Sequence, residues 1–284
     1  MNYRHAFHAG NFADVFKHAT LVRILLHLRA KPAPFRVIDT HAGAGRYDLD
    51  DAKAQRTGEW REGIARLLAA APAQEAKALL APYLDAVASL NPPAALTTYP
   101  GSPVLARAFL RAQDRLIACE LEAHAAAALA RNLKGDSRCK AIAIDGWTAV
   151  NAYVPPKERR GIVAMDPPFE DAADFENLAN ALAAAQRKWA SGIYLLWYPL
   201  KDRKAADGFA QRLRRSRIPK ILRAEINLAK PRKFDRLGAC GLVVVNPPWT
   251  LEGELRILLP ELVAALAPGN AGSHRLDWLA GECG

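Results

Sequence analysis

The feature that most constrains the fold of this chain is an alternation of short apolar runs with longer segments of helical periodicity. Seven runs are rich in aliphatic and β-branched residues, and several are apolar without alternation, as in strands buried on both faces of a parallel sheet. They are Phe35–Asp39, Arg115–Cys119, Ala141–Ile144, Gly161–Met165, Ser191–Trp197, Ile221–Asn227 and Cys240–Val245. This pattern predicts an α/β fold with a doubly wound, seven-stranded sheet.

The last two runs and the segment before the first run depart from this alternation. The last two runs are separated only by a basic loop, residues 228–239, without a helical segment. We therefore expect them to pair antiparallel, with the last strand reversed. Before the first run, apolar residues recur at helical spacing over Phe12–Leu28, and Asn11 is suited to the N-cap.

One interval is too long for a single strand–helix–strand unit. About 75 residues separate Gly45 from the end of the second run, whereas such a unit needs only ~30. Residues 48–99 are rich in Ala and Leu and predict an inserted helical subdomain within one domain spanning residues 1–284. The next helix is expected to start at Gly101-Ser102-Pro103, with Ser102 as N-cap and Pro103 in the first helical position.

Composition narrows the class of protein. Lys and Arg outnumber Asp and Glu by 39 to 29, which gives a formal net charge of +10. This balance favours a polyanionic partner, although a basic protein without such a partner is also compatible with it. The four cysteines lack zinc-site spacing, and no apolar run reaches the ~18 residues of a membrane span. The polar N-terminus is not followed by a signal-peptide core, so we expect a cytoplasmic protein without a metal.

Candidate ligand-binding residues follow the first two runs. Asp39–Gly45 (DTHAGAG) follows the first run, where Gly43 and Gly45 permit a tight turn close to a ligand. Such a turn is compatible with NAD, with S-adenosylmethionine or with a plain strand–helix turn. Glu120 directly follows the second run, where a carboxylate accepts hydrogen bonds from ribose hydroxyls. A surface acid is the alternative.

The third run ends at Asp145-Gly146. Asp145 can accept a hydrogen bond from an adenine amino group, and Gly146 gives clearance for it. A plain turn is nearly as compatible with these two residues.

The motif Asp166-Pro167-Pro168-Phe169, after the fourth run, is the most specific of the four. The two prolines remove two N–H donors, so that carbonyl oxygens can face a ligand. Asp166 adds a carboxylate acceptor and Phe169 an aromatic face. Together they suit a planar group that carries an exocyclic amine.

A near-copy of this motif, Asn246-Pro247-Pro248-Trp249, follows the seventh run. In a doubly wound sheet the end of that strand is not adjacent to the ligand crevice beside the first strand. We therefore interpret the near-copy as a structural exit from the sheet.

The four candidate sites, in this order, resemble a Rossmann-like class I methyltransferase with an amine-binding (D/N)PP(F/Y/W) motif, over Phe35 to about Trp197. A closer resemblance, to the bacterial RlmJ family, extends over nearly the whole chain. The segments that carry it are Tyr3–Asn11, Ala13–Val15, Lys17–His18, Asp39–Tyr47, Tyr99–Pro103, Trp197–Pro199 and Asn246–Trp249.

This resemblance implies S-adenosylmethionine-dependent methylation of N6 of one adenine, nucleotide 2030, in 23S rRNA. It implies that Asp166 is catalytic and that Tyr3 approaches the substrate adenosine. Phe169 stands where the family commonly has Tyr, which keeps a stacking face and loses the hydroxyl. The residues implied to contact the cofactor or lie beside it are His18, His41, Ser102, Glu120, Asp145, Gly146 and Asp166.

Other functions fit parts of the pattern. A DNA adenine or protein glutamine methyltransferase needs the same amine pocket, and a non-catalytic RNA-binding assembly factor needs only the scaffold. An NAD-dependent dehydrogenase leaves the Asp166 motif without a role. For an RNA enzyme, 23S rRNA, naked or in an early assembly intermediate, is the expected partner of a monomer. Phosphate contacts are expected from the basic loop with Lys230, Arg232, Lys233 and Arg236 rather than from the cluster Arg212–Lys220, which a solvated helix face explains.

Overall fold

The computed structural model describes residues 5–171, 173–228, 237–267, 269 and 271–282. Its strands are β1 Arg36–Asp39, β2 Arg46–Asp48, β3 Thr98–Pro100, β4 Arg115–Glu120, β5 Cys139–Ala143, β6 Gly161–Met165, β7 Ile193–Pro199, β8 Ile221–Asn227, β9 Ala239–Val245 and β10 Ser273–Ala280. Its α-helices are α1 Phe12–Arg29, α2 Ala52–Thr57, α3 Glu59–Glu62, α4 Ile64–Ala69, α5 Gln74–Ala88, α6 Ser102–Ala108, α7 Ala123–Leu133, α8 Gly146–Tyr153, α9 Asp174–Lys188, α10 Arg203–Arg215 and α11 Leu251–Leu266.

The main sheet has the order β10-β8-β9-β7-β6-β1-β4-β5. The strands from β5 to β7 run parallel, and β9 runs antiparallel to both β7 and β8. The seven predicted strands and the reversal of the last one are therefore confirmed. An eighth strand, β10, pairs antiparallel with β8. The sequence analysis missed β10 because an edge strand with polar side chains lacks the apolar run used as the signal.

The position of β1 in this sheet creates the ligand crevice. β1 lies between β6 and β4, and the following strands of the chain are added first on its β4 side and later on its β6 side. The carboxyl ends of β1 and β4 therefore border a crevice. The loop after β1 is fixed to both neighbours. Thr40 N–H donates to the Ala164 carbonyl of β6, and Ala42 N–H donates to the Cys119 carbonyl of β4.

The predicted insertion, residues 48–99, begins in β2 and ends in β3, which form a small antiparallel ladder, and it contains helices α2 to α5. The apolar side chains of α5 belong to the same hydrophobic core as Phe16 of α1, and Leu80 and Tyr83 are buried there. This packing ties the segment to the first helix. None of the helices in the described part of the chain has the length and apolar character needed to cross a membrane.

The two helix starts predicted from the sequence have different outcomes. Asn11 is the N-cap of α1 as predicted, and its side chain accepts from Asp14 N–H at 3.0 Å. The N-cap predicted at Ser102 is wrong by one residue, because Gly101 is the cap of α6 and Ser102 is already helical. The Ser102 side chain hydrogen bonds to Asp39 instead of capping the helix.

Candidate active site

A cavity of about 560 Å³ opens at the carboxyl ends of β1, β4, β5 and β6. Most of the residues predicted for the site line it: His18, His41, Gly43, Ser102, Glu120, Asp145, Gly146, Asp166 and Pro167. Tyr3 lies outside the described residues. Residues separated by up to about 150 positions in the sequence thus surround one space. Within the described chain, no group of three or more His, Cys, Asp or Glu side chains is arranged to hold a metal ion.

The loop after β1 is held against Glu120. Gly43 N–H donates to Glu120 Oε2 at 2.8 Å, and Glu122 N–H donates to Glu120 Oε1 at 2.8 Å. A carboxylate accepts about four hydrogen bonds, so Glu120 retains acceptor capacity toward the cavity. Gly43 has φ +60°, and a Cβ there would lie 2.2 Å from the Tyr47 hydroxyl oxygen. Glycine is required at this turn.

The wall formed by Asp145 and Gly146 is tight. Asp145 caps α8 by accepting from Thr148 N–H at 2.8 Å through Oδ2. A Cβ on Gly146 would lie 2.4 Å from His41 Nε2 and 2.6 Å from the Thr40 carbonyl oxygen. The start of α8 can therefore approach the β1 loop only because residue 146 is glycine.

His41 is held as a neutral side chain. Its Nδ1 is hydrogen bonded to the Thr40 hydroxyl at 2.8 Å, and its ring meets Trp147 edge-on with centroids 5.0 Å apart. Burial lowers the pKa of His41 to about 4, although Asp166 and Asp145 act in the opposite direction. A neutral imidazole offers the cavity a donor or an acceptor without a positive charge.

Asp166 is part of a buried charge network that the sequence analysis did not predict. The Lys17 ammonium, on α1, donates a hydrogen bond to Asp166 Oδ2 and lies 3.0 Å from Asp14 Oδ1. Burial opposes its charge, but Asp14 and Asp166 together raise the pKa of Lys17 well above its ordinary value. Asp14 also accepts from His5 Nε2 at 2.9 Å. A lysine within the apolar helix α1 was the available signal for this network.

His18 is buried beside this network. Its Nδ1 is hydrogen bonded to the Tyr99 hydroxyl at 2.8 Å, and Tyr99 is hydrogen bonded to the Tyr83 hydroxyl at 2.8 Å. Burial lowers the pKa of His18 to about 3. Its Nε2 is buried without a hydrogen-bond partner in the described part of the chain. Such atoms are costly to leave unpaired, and His18 is one of the residues that line the cavity.

Asp39 opens the predicted ligand-binding segment Asp39–Gly45, but it is not among the residues that line the cavity. It is buried at the end of β1, and burial raises its pKa to about 6, while its hydrogen bond with Ser102 acts in the opposite direction. At physiological pH the Asp39 carboxyl group is therefore closer to its neutral form than an exposed carboxyl group is.

The residues of the Asp166 loop differ in whether they reach the cavity. Pro167 and Pro168 line the cavity together with Trp197 of β7. The Phe169 ring does not line it, and packs edge-on against Phe175 and Trp197 with centroid distances of 4.8 and 5.7 Å. The stacking role of Phe169 stays a prediction.

The near-copy of this loop lies at the end of the strands opposite to the cavity. β9 runs antiparallel to β7, so Asn246 emerges where β7 begins. The Asn246 side-chain amide donates to the carbonyls of Ala190 and Gly192 at 2.7 Å each. As predicted, the near-copy lies away from the cavity and joins chain segments.

Of the two basic groups, only the cluster Arg212–Lys220, predicted to be a solvated helix face, lies within the described residues. Lys230, Arg232, Lys233 and Arg236 lie outside the described residues. In the cluster Arg212–Lys220, Arg212 lies 3.5 Å from Glu176, and Lys220 lies 3.0 Å from Glu282.

The order of the sheet, the reversed β9 and the polar residues at the carboxyl ends of four successive strands define a class I methyltransferase. The model of a protein family described as "Ribosomal RNA large subunit methyltransferase D, RlmJ" matches residues 32–280. The chain belongs to this RlmJ family, which confirms the resemblance found in the sequence.

Similar proteins agree with this assignment. The "Ribosomal RNA large subunit methyltransferase J" of Escherichia coli (strain K12) is 40% identical over 284 residues, covering 99% of this chain and 100% of that protein. The protein of the same name from Haemophilus influenzae is 37% identical over 283 residues, with coverage of 99% and 100%. A crystal structure of a Legionella pneumophila protein matches with a TM-score of 0.86 and 33% identity, covering 95% of this chain and 98% of the other.

Proposed function

We propose that this protein transfers a methyl group from S-adenosylmethionine to N6 of adenine 2030 in 23S rRNA. The observation that carries this proposal is the position of Asp166 and Pro167 at a cavity whose other walls suit an adenosine moiety. The names of the two relatives favour ribosomal RNA of the large subunit as the substrate. The net charge of +10 agrees with a polyanionic substrate.

The residues present fit the cofactor. Glu120 has acceptor capacity left for ribose hydroxyls, and the free oxygen of Asp145 can accept from an adenine amino group. Gly146 keeps the wall clear for a flat ring, and His18 Nε2 supplies an unpaired polar atom. His41, Gly43 and Ser102 complete this set. When bound, S-adenosylmethionine supplies an activated methyl group.

Asp166 would position and activate the amine. The lone pair of an exocyclic amine is delocalised into the ring, so the nitrogen is a poor nucleophile. Asp166 and the Pro167 carbonyl would accept hydrogen bonds from its two N–H groups. This would draw the nitrogen toward tetrahedral geometry and direct its lone pair at the methyl donor. Lys17 holds the Asp166 carboxylate in place through a hydrogen bond to Oδ2. Asp166, or a water beside it, would take the released proton.

The substrate adenine must leave its stack to reach this pocket. In this proposal Tyr3 and Phe169 contact the flipped adenosine, with Trp197 as part of the wall. In this proposal the protein acts as a monomer. The enzyme would meet its rRNA substrate in the cytoplasm.

The experiment uses radiolabelled S-adenosylmethionine with deproteinised 23S rRNA from cells that lack the enzyme. Wild type should label the rRNA, and Asp166→Asn should lower kcat by about 10²- to 10⁴-fold, the usual range for a lost proton acceptor. Asn246→Ala, which changes the corresponding residue of the near-copy, is the matched control and should keep its kcat. Label found only in DNA or protein would refute the rRNA assignment. Full activity of Asp166→Asn would refute the role of Asp166.

A further inference from the structure

Trp249, in the near-copy motif, is exposed to an unusual degree. Its side chain is 86% exposed, more than any other large apolar side chain in the described part of the chain. It lies where β7 begins, at the end of the strands opposite to the cavity. β7 has seven residues at about 3.3 Å each, so its two ends are separated by roughly 20 Å. The reaction at the cavity does not explain this tryptophan.

Three chain segments meet beside Trp249. The Asn246 side chain binds the carbonyl of Ala190, two residues after α9 ends. Its backbone N–H donates to the Lys220 carbonyl at 3.0 Å, in the turn that follows α10. The end of α9, the end of α10 and the loop carrying Trp249 are therefore held at one corner of the molecule.

The residues at this corner are mostly cationic. We define the Trp249 corner as Arg187, Arg215, Arg217, Lys220 and Trp249. Within the described residues, Arg187, Arg215 and Arg217 are exposed and form no ion pair with an acidic side chain, while Lys220 pairs with Glu282. Cations are favoured at the carboxyl ends of helices by the helix dipole. That effect does not account for Arg217, which lies beyond α10, or for the exposed indole.

We propose that the Trp249 corner binds a second segment of the substrate RNA, at a distance from the target adenine. Arg187, Arg215 and Arg217 would contact phosphates, and an unpaired base would stack on Trp249. Unpaired cations beside an exposed aromatic ring are the combination that binds single-stranded RNA. This proposal rests on the proposed function and extends it, because it makes recognition depend on RNA that the catalytic cavity does not reach.

The test compares a long 23S rRNA fragment with a short stem–loop that contains the target adenine alone. With the long fragment, Trp249→Ala should raise KM at least ~5-fold, the lower limit for loss of a stacked base, and leave kcat unchanged. The triple variant Arg187→Ser/Arg215→Ser/Arg217→Ser should do the same. Loss of its three charges should also reduce the slope of log affinity against log salt concentration by about two. Neither variant should change KM for the short stem–loop.

The matched control removes three exposed lysines elsewhere, Lys77→Ser/Lys134→Ser/Lys140→Ser. The proposal is overturned if this control raises KM as much as the arginine variant, or if the Trp249 corner variants match wild type on the long fragment. An equal effect on both RNAs would also overturn it, as would a dimer seen by sedimentation that Trp249→Ala abolishes. RNA affinity measured by fluorescence anisotropy, without cofactor, separates this result from a failure of the methylation assay.

Discussion

Two buried histidines at the cavity, His18 and His41, have pKa values far below that of a free imidazole, about 3 and about 4. Each is neutral in the folded protein throughout the physiological range and becomes protonated on unfolding below about pH 6.5. Because the unfolded chain then binds more protons, the stability that these residues contribute above pH 6.5 is lost as the pH falls. Acid should therefore destabilise this site before its carboxylates are neutralised.

His18→Gln should make the free energy of unfolding less sensitive to pH. Between pH 7.5 and pH 5 the wild type should lose about 2 kcal/mol more than the variant, since one buried imidazole no longer has to be kept neutral. Urea denaturation at the two pH values measures this difference. His274→Gln, which removes an exposed imidazole, is the matched control. An unchanged pH dependence in His18→Gln would contradict the assignment of His18 as a buried neutral group.

Gly146→Ala tests the wall between His41 and the start of α8. The added Cβ would lie 2.6 Å from the Thr40 carbonyl oxygen, which is backbone and cannot rotate away. We expect S-adenosylhomocysteine to bind at least ~10-fold more weakly by calorimetry, because an overpacked wall must shift. Gly208→Ala, where a Cβ would meet nothing within 4 Å, should bind normally. Equal affinities for the two variants would contradict the proposed cofactor wall.

The residues of the site were predictable where they follow strands. Glu120, Asp145 and Asp166 each stand after an apolar run, and the crevice rule brings such positions together. The contact of Lys17 with Asp166 joins residues 149 positions apart. Nothing in the periodicity of α1 shows which of its faces meets the Asp166 loop, because that depends on how the helix packs on the sheet. The same holds for the bond between Tyr99 and His18.

At the scale of elements, the two similar proline motifs serve different purposes because of strand direction. The Asp166 motif follows a strand that ends at the cavity, whereas the Asn246 motif follows the reversed strand β9. Asn246 has φ +51° and binds two carbonyls. An asparagine tolerates that backbone conformation better than most residues do.

Asn246→Ala should therefore lower stability and not catalysis. Loss of two hydrogen bonds, each worth about 1 kcal/mol, and the strain of alanine at positive φ should cost about 2–4 kcal/mol. Urea denaturation at pH 7.5 measures this loss. A variant that kept its stability but lost activity would show that the near-copy, too, belongs to the active site.

Among the elements, the strands buried on both faces were predicted together with their direction, whereas β10 was not predicted at all. Its alternate side chains are polar, and β10 is held by the buried Arg223 of β8, which donates to both oxygens of Asp277 at 2.8 and 2.7 Å. A buried arginine on one strand does not identify its partner from sequence. The start of α6 was displaced by one residue because Ser102 bonds to Asp39, a tertiary contact that local capping rules do not include.

At the scale of the whole molecule, the fold separates the cavity from the exposed arginines of the Trp249 corner. The cavity lies at the carboxyl ends of the parallel strands, and the Trp249 corner lies at the opposite end of these strands. Charge alone predicted a polyanionic partner and did not distinguish RNA from DNA. The choice of rRNA depends on membership of the RlmJ family, and the choice of adenine depends on the chemistry proposed for Asp166.

The most direct test of that account is to locate the methyl group by mass spectrometry. 23S rRNA from cells lacking the enzyme is treated with the protein and S-adenosylmethionine, digested with a nuclease and analysed fragment by fragment. The account predicts one added methyl group, on N6 of adenine 2030, that forms about 10²-fold or more slowly with Asp166→Asn. A methyl group on another base, or on another atom of that adenine, would contradict it.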